Sequence, residues 1–114
     1  MEKQPDWKDL DARVTVAPQI RPEDVARIAA LGYGVVICNR PDGEEPGQPD
    51  WDGVAAACGA AGLAAEYIPQ ADRDVTAYAV SRFAAVLAGT EGRVFAYCRT
   101  GTRCGLIWDA AKPA

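Results

Sequence analysis

Histidine is absent from this sequence of 114 residues. Without an imidazole the chain cannot build a Ser-His or Cys-His catalytic pair or a histidine-ligated metal centre. Its four cysteines, Cys38, Cys58, Cys98 and Cys104, include no Cys-x-x-Cys pair, and their spacing gives no support for zinc. We therefore expect no metal and no cofactor. Any chemistry must use cysteine, carboxylates, arginine and backbone amides.

The sequence also lacks an excess of positive charge, a long apolar run and a secretory signal. A net charge of −4 argues against a broad nucleic-acid-binding surface. No apolar stretch is long enough to span a membrane, and the charged start does not resemble a signal peptide. We expect a cytoplasmic protein with reduced cysteines and with no nucleic-acid or membrane partner. The length fits one domain over residues 1–114.

Strand-like and helix-like patterns alternate after a polar lead-in over residues 1–12. Segments with strand character lie at 13–17, 34–39, 63–68 and 92–97. Helices are expected to begin at Pro22 and to cover residues 50–61, 75–88 and 104–111. This alternation predicts an α/β fold in which a central, mostly parallel sheet of about four strands is flanked by helices. Because Pro18 follows the first strand, we expect that strand at a sheet edge.

Ligands of parallel sheets bind beyond the carboxyl ends of the strands. The loops expected there are 40–45, 69–74 and 98–103. The third loop reads Cys98-Arg99-Thr100-Gly101-Thr102-Arg103 and precedes a helix. Glycine lets successive amides form a concave ring, and the helix N-terminus adds positive potential. We therefore predict an anion site over residues 99–103 and a Cys98 pKa well below the usual ~8.5.

Less specific interpretations remain for the same residues. A cysteine is often an inert core residue, which is our expectation for Cys38 and Cys58. Arg99 and Arg103 would then be ordinary surface charges.

The chain resembles a bacterial phosphatase-like family whose domain occurs alone or fused to β-lactamase-like hydrolases. The resemblance covers nearly the whole sequence and rests on Ala17–Ile20, Pro22–Asp24, Gly34–Asp42 with Glu44 and Glu45, Tyr67–Pro69 and Tyr97–Arg103. It implies the fold of tyrosine and dual-specificity phosphatases, with Cys98 as the nucleophile.

The active loop departs from the phosphatase signature His-Cys-x5-Arg. Tyr97 replaces the histidine, Arg103 stands one position early, and Cys104 occupies the arginine position. Arg103 is the candidate for clamping phosphate. The loop is also similar to that of single-domain rhodaneses, which typically run Cys-Arg-x-Gly-x-Arg. Cys104 is a candidate redox partner for an oxidised Cys98, or a small residue that packs the helix start.

Three functions follow as hypotheses. A cysteine-dependent phosphatase would form a phosphocysteine on Cys98 and act on a small-molecule or protein phosphate ester. Asp72 or Asp74 would be its general acid and base, although both also suit a turn, with Asp74 as a helix cap. A rhodanese-like sulfurtransferase would instead take sulfur from a sulfane-sulfur donor as a persulfide on Cys98. The third hypothesis is a non-catalytic anion-binding module. The whole-chain resemblance favours the phosphatase.

Overall fold

The computed structural model describes residues 6–113, which form a five-stranded sheet between two layers of helices. The strands are β1 (Lys8–Asp9), β2 (Val14–Ala17), β3 (Tyr33–Cys38), β4 (Ala64–Tyr67) and β5 (Arg93–Tyr97). The helices are α1 (Val25–Ala30), α2 (Trp51–Ala61), α3 (Ala77–Gly89) and α4 (Thr102–Ala111). The sheet order is β1-β2-β5-β3-β4, and every pairing except β1 with β2 is parallel. The predicted α/β class and the mostly parallel sheet are confirmed.

The edge of the sheet differs from the prediction. β2 lies between β1 and β5, so it is not an edge strand, and the edge is the two-residue strand Lys8–Asp9. The adjacent Trp7 is buried, and its ring meets Phe95 edge to face at 4.7 Å. Residues 6–12, the part of the predicted polar lead-in that the structure describes, therefore contribute an edge strand and a buried tryptophan to the fold. A charged two-residue strand carries too little alternation to be recognised from sequence.

The two faces of the sheet bury separate apolar clusters, because side chains alternate along each strand. Phe95 and Tyr97 of β5 pack on the face that carries α1 and α2, together with Val36. Val94 and Ala96 pack on the other face, against residues of α3 and α4. The same alternation places Cys98 on the α4 face and Tyr97 on the opposite one. The tyrosine at the signature histidine position therefore points away from the nucleophile candidate.

The start of α3 corrects one expectation about the aspartates. The cap of this helix is Thr76, whose side chain accepts a hydrogen bond from the Ala79 amide, and not Asp74. The loop before it winds around Gln70, which is buried and donates to the carbonyls of Asp72 and Asp74 at 3.0 and 2.6 Å. This internal anchor delays the helix by two residues relative to the predicted start at Val75. None of the described helices is long and apolar enough to cross a bilayer.

Candidate active site

The loops that follow the four parallel strands meet at the carboxyl ends of these strands and are connected by backbone hydrogen bonds. The Cys98 amide donates to the Ala17 carbonyl at 3.2 Å, and the Gln19 amide donates to the Arg99 carbonyl at 3.3 Å. On the other side, the Gln70 amide donates to the Asn39 carbonyl at 2.9 Å. The cysteine loop is thus held between its neighbours, at the edge where parallel sheets bind ligands.

The sulfur of Cys98 lies inside its own loop and is surrounded by hydrogen-bond donors. The Gly101 amide donates to Sγ at 3.1 Å. A hydrogen bond from the Cys104 thiol has the largest influence on the pKa of Cys98. Burial opposes it, and the amides of Cys104, Thr100 and Gly101 add to it, so that the pKa falls to about 5. At neutral pH this group is a thiolate, the form in which cysteine is a nucleophile.

Gly101 is the residue that allows this loop to close. It lies in the left-handed region with φ of 92° and stands at the N-terminus of α4. A side chain at this position would meet the backbone of Ala17 at 3.5 Å. Glycine is the residue that adopts this conformation without a steric penalty, so the amide reaches the sulfur because residue 101 is glycine.

The Cys98 side chain has no exposed surface in this conformation. An electrophile can therefore reach Sγ only when part of the surrounding loop moves. The flanking Arg99 and Thr100 are exposed, so the segment next to the sulfur is not held by core packing.

The other three cysteines have the opposite character. Burial raises the pKa of Cys38 and that of Cys58 to about 11. Burial, together with the neighbouring Cys98 sulfur, raises the pKa of the Cys104 thiol. Each of the three is a neutral thiol at physiological pH. Cys104 is therefore suited to donating its proton to Cys98 in a hydrogen bond.

Arg103 forms a two-point ion pair with a residue that the sequence interpretation assigned no role. Its Nη1 donates to Oε2 of Glu44 at 2.7 Å, and its Nη2 donates to Oε1 at 2.9 Å. Nη1 also donates to the Gln70 carbonyl at 2.7 Å. The pKa of Arg103 is raised chiefly by Glu44, with a smaller contribution from the Cys98 sulfur. The early arginine thus stands between Glu44 and the nucleophile candidate.

Glu44 also forms an ion pair with a buried arginine. Arg40 is 2% exposed and donates from Nε to Oε1 of Glu44 at 2.8 Å. It also donates to Glu45 at 2.7 Å and to Gln19 at 3.1 Å. The hydrogen bond from Arg103, followed by that from Arg40, lowers the pKa of Glu44 to about 2 despite burial. The spacing of Arg40 and Glu44 in the loop after β3 was the available sequence signal.

The two aspartates are placed differently with respect to the cysteine loop. Asp72 lines a cavity of about 250 Å³ together with Arg73, Arg99, Thr100, Thr102 and Arg103. Asp74 does not line it, and its amide donates to the Asp72 carboxylate at 2.8 Å. The structure therefore brings Asp72 beside the predicted anion-binding residues. Arg73, which the sequence interpretation did not single out, joins them.

The remaining loop residues point outwards. Arg99 is 65% exposed and lies 3.8 Å from Glu45. The hydroxyl of Thr100 donates to that of Thr102 at 3.0 Å and accepts from the Thr102 amide at 3.4 Å. Both threonines also border a groove of about 530 Å³ on the α4 side of the loop. Within residues 6–113, no three cysteine, aspartate or glutamate side chains are grouped so that they could hold a metal ion.

The chain matches a known protein family. The model of the phosphatase-like domain of beta-lactamase hydrolase-like proteins matches residues 6–114. The chain belongs to this family. Beta-lactamase hydrolase-like proteins of Xylella fastidiosa and Agrobacterium fabrum are 35% and 39% identical over 91% and 82% of the chain. The chain spans about a quarter of the length of these relatives, 24% and 22% respectively.

Solved structures agree with this membership. A crystal structure of a suggested phosphatase from Neisseria meningitidis is 39% identical, with a TM-score of 0.81 over 93% of this chain and 75% of that one. A crystal structure of Tk-PTP in the active form is 14% identical, with a TM-score of 0.70 over 96% of this chain and 82% of that one. The chain therefore has a tyrosine-phosphatase-like fold, and its domain is phosphatase-like.

Proposed function

We propose that this protein is a cysteine-dependent phosphatase that hydrolyses phosphate monoesters through a phosphocysteine on Cys98. The observation that carries the proposal is the Cys98 sulfur, whose pKa of about 5 makes it a thiolate within a ring of amides. Amides that stabilise a thiolate also stabilise the equatorial oxygens of a phosphoryl group in transfer. The tyrosine-phosphatase-like fold supports the same assignment.

In the first step the Cys98 thiolate attacks phosphorus, so an S–P bond forms and the ester P–O bond breaks. The leaving oxygen takes a proton from the carboxyl group of Asp72, which lines the cavity beside the loop. In the second step water attacks phosphorus and gives its proton to Asp72. The S–P bond breaks, inorganic phosphate leaves and the Cys98 thiolate returns.

The test compares two phosphate esters in four proteins: wild type, Cys98→Ser, Asp72→Asn and Asp74→Asn. Cys98→Ser should abolish turnover. Asp72→Asn should lower kcat about 10²–10⁴-fold for an alkyl ester and much less for an activated aryl ester, which needs little protonation. Asp74→Asn is the matched control, since Asp74 lies outside the cavity, and it should retain activity. Equal rates for Cys98→Ser and wild type would contradict the proposal.

A second candidate function is sulfur transfer, and the position of Cys104 favours it. Cys104 stands where the phosphatase signature has arginine, and the donors that most lower the pKa of Cys98 are neutral amide and thiol groups. Such donors suit a persulfide anion. Cys98 would attack the outer sulfur of thiosulfate and expel sulfite, and an acceptor such as cyanide would then remove that sulfur as thiocyanate and restore the thiolate.

One protein preparation separates the two candidates. The wild type is assayed in parallel with an aryl phosphate and with thiosulfate plus cyanide, and its mass is measured after each donor. Thiocyanate formation that Asp72→Asn leaves unchanged, with one added sulfur on Cys98 and no ester hydrolysis, would establish sulfur transfer instead of phosphatase activity.

A further inference from the structure

We propose that Glu44 is a positioning residue that aims one edge of the Arg103 guanidinium at the oxyanion above Cys98, with Arg40 as its buried anchor. This inference rests on the proposed function, because it concerns how that site holds its oxyanion. It explains how an arginine one position early in the loop can serve the reaction.

The hydrogen bonds of Arg103 leave one particular edge available. A guanidinium carries five N–H groups in a fixed plane. Both Nη1 groups are used, by Glu44 Oε2 and by the Gln70 carbonyl, and one Nη2 group is used by Glu44 Oε1. No described carbonyl or carboxylate oxygen accepts from the N–H of Nε or from the second N–H of Nη2. These two lie side by side and form a fork that fits two oxygens of one phosphate.

Arg103 also borders the cavity beside the cysteine loop, together with Thr100 and Thr102. The Cys98 sulfur is close enough to raise the pKa of the Arg103 guanidinium. Glu44 and Gln70 therefore hold the far side of the guanidinium, while the near side faces the position that an oxyanion would occupy. The Arg103 side chain is only 11% exposed, so its surroundings restrict its movement.

Arg40 makes this orientation stiff. Its side chain is 2% exposed and forms ion pairs with Glu44 and Glu45 from the protein interior. It also donates a hydrogen bond to the side chain of Gln19, in the loop after β2. A buried guanidinium must keep its carboxylate partners, because an unpaired buried charge is costly. Arg40 thus holds Glu44 from the protein interior, and both carboxylate oxygens of Glu44 accept hydrogen bonds from Arg103.

Removing the charge of Glu44 has two opposite effects on anion binding, and their balance tests the proposal. If Arg103 acted only as a positive charge, Glu44→Gln would make the site more positive and strengthen phosphate binding. If orientation decides, Glu44→Gln weakens binding, since the amide cannot accept both guanidinium bonds. We expect weakening of about tenfold, as for the loss of one charge-assisted hydrogen bond.

The experiment titrates inorganic phosphate into wild type, Glu44→Gln, Arg103→Lys and the double variant, and measures Kd by calorimetry. Glu45→Gln is the matched control, because Glu45 also pairs with Arg40 but does not contact Arg103. We expect a change below about threefold for this exposed partner. In the Arg103→Lys background, Glu44→Gln should not change the Kd for phosphate further, because Glu44 affects binding only by orienting the Arg103 guanidinium. Thermal unfolding confirms that each variant is folded.

The outcomes separate this inference from the proposed function. Weakened phosphate binding that depends on Arg103, in a protein that hydrolyses no phosphate ester, would support the role of Glu44 and contradict only the phosphatase assignment. Tighter binding by Glu44→Gln, equal losses for Glu44→Gln and Glu45→Gln, or additive losses with Arg103→Lys would overturn the inference. Failure of the wild type to bind phosphate would overturn it too.

Discussion

Replacing Cys104 by alanine should raise the pKa of Cys98 while leaving the loop backbone in place. The Cys104 thiol is the largest cause of the low Cys98 pKa of about 5, and the amides of Thr100, Gly101 and Cys104 itself remain in the variant. A hydrogen bond to a charged group contributes roughly 1.5–3 kcal/mol, which corresponds to about one to two pKa units. We therefore expect the pKa to rise to about 6–7.

The assay is the rate of Cys98 alkylation by iodoacetamide between about pH 4 and pH 9, with thiolate absorbance as a second readout. At pH 5 the thiolate fraction should fall from about one half to below about one tenth. Cys104→Ser is the matched control, since a hydroxyl keeps a donor at the same position, and it should retain most of the low pKa. If alanine and serine give the same pKa as cysteine, the assigned role of the thiol is wrong.

The same shift links pH to stability. Folding lowers the pKa of Cys98 from 9.0 to about 5, so between these values the unfolded chain binds more protons than the folded one. The free energy of unfolding therefore rises with pH across this window, and the contribution is lost as pH falls through about 5. In Cys104→Ala the loss should begin about one to two pH units higher, which denaturant titrations at several pH values would detect.

Two further predictions concern the same loop. Gly101→Ala should destabilise the fold by about 1–2 kcal/mol and weaken phosphate binding, because residue 101 has φ of 92° and faces the Ala17 backbone; an unchanged melting temperature would contradict this. Hydrogen peroxide should convert Cys98 to a sulfenic acid, and the Cys104 thiol should then displace water to form a disulfide. Mass spectrometry should find the Cys98–Cys104 linkage in wild type, whereas a stable sulfenic or sulfinic Cys98 in its place would refute the pairing.

Much of the fold was predictable because buried parallel strands and their helices carry strong patterns. The apolar run of β3 reflects burial that is almost complete, and the spacing of α3 reflects one buried face formed by Ala79, Phe83 and Leu87; such segments are readily recognised. β1 escaped prediction because its two residues, Lys8 and Asp9, are exposed and charged. Its place in the sheet depends on pairing with Thr15 and Val16, which is a tertiary contact that no local pattern encodes.

The candidate site also has one part that the sequence predicts and another part that it does not. The cysteine loop could be predicted because glycine, threonine and a helix start follow one another along the chain. The partnership of Glu44 with Arg103 joins residues 59 positions apart, and its geometry exists only once β3 and β5 are adjacent. Asp72 and Asp74 could not be ranked from sequence, since the difference between them is set by Gln70, which anchors the loop through their carbonyls.

The position of Arg103, one residue earlier than in the phosphatase signature, and the burial of Cys104 both follow from the orientation of α4. Both residues lie in the first turn of α4, where successive side chains point about 100° apart. Residue 104 faces the apolar cluster and is fully buried, whereas residue 103 faces Glu44 and Gln70. An arginine at position 104 would thus have to place a long charged side chain in this closely packed cluster beside the Cys98 sulfur, so the spacing of the phosphatase signature conflicts with this packing of α4.

This reasoning predicts that restoring the signature spacing damages the protein. The double variant Arg103→Cys with Cys104→Arg should lose about 1–3 kcal/mol of stability, the usual cost of forcing a larger side chain into a closely packed core. Arg103→Cys alone removes the ion pair with Glu44 and the hydrogen bond to the Gln70 carbonyl and should cost less, since Arg40 still neutralises Glu44 and no larger side chain enters the core. Denaturant unfolding of the three proteins measures the difference. If the double variant is as stable as wild type and binds phosphate more tightly, α4 can rotate, and its packing does not set the position of the arginine.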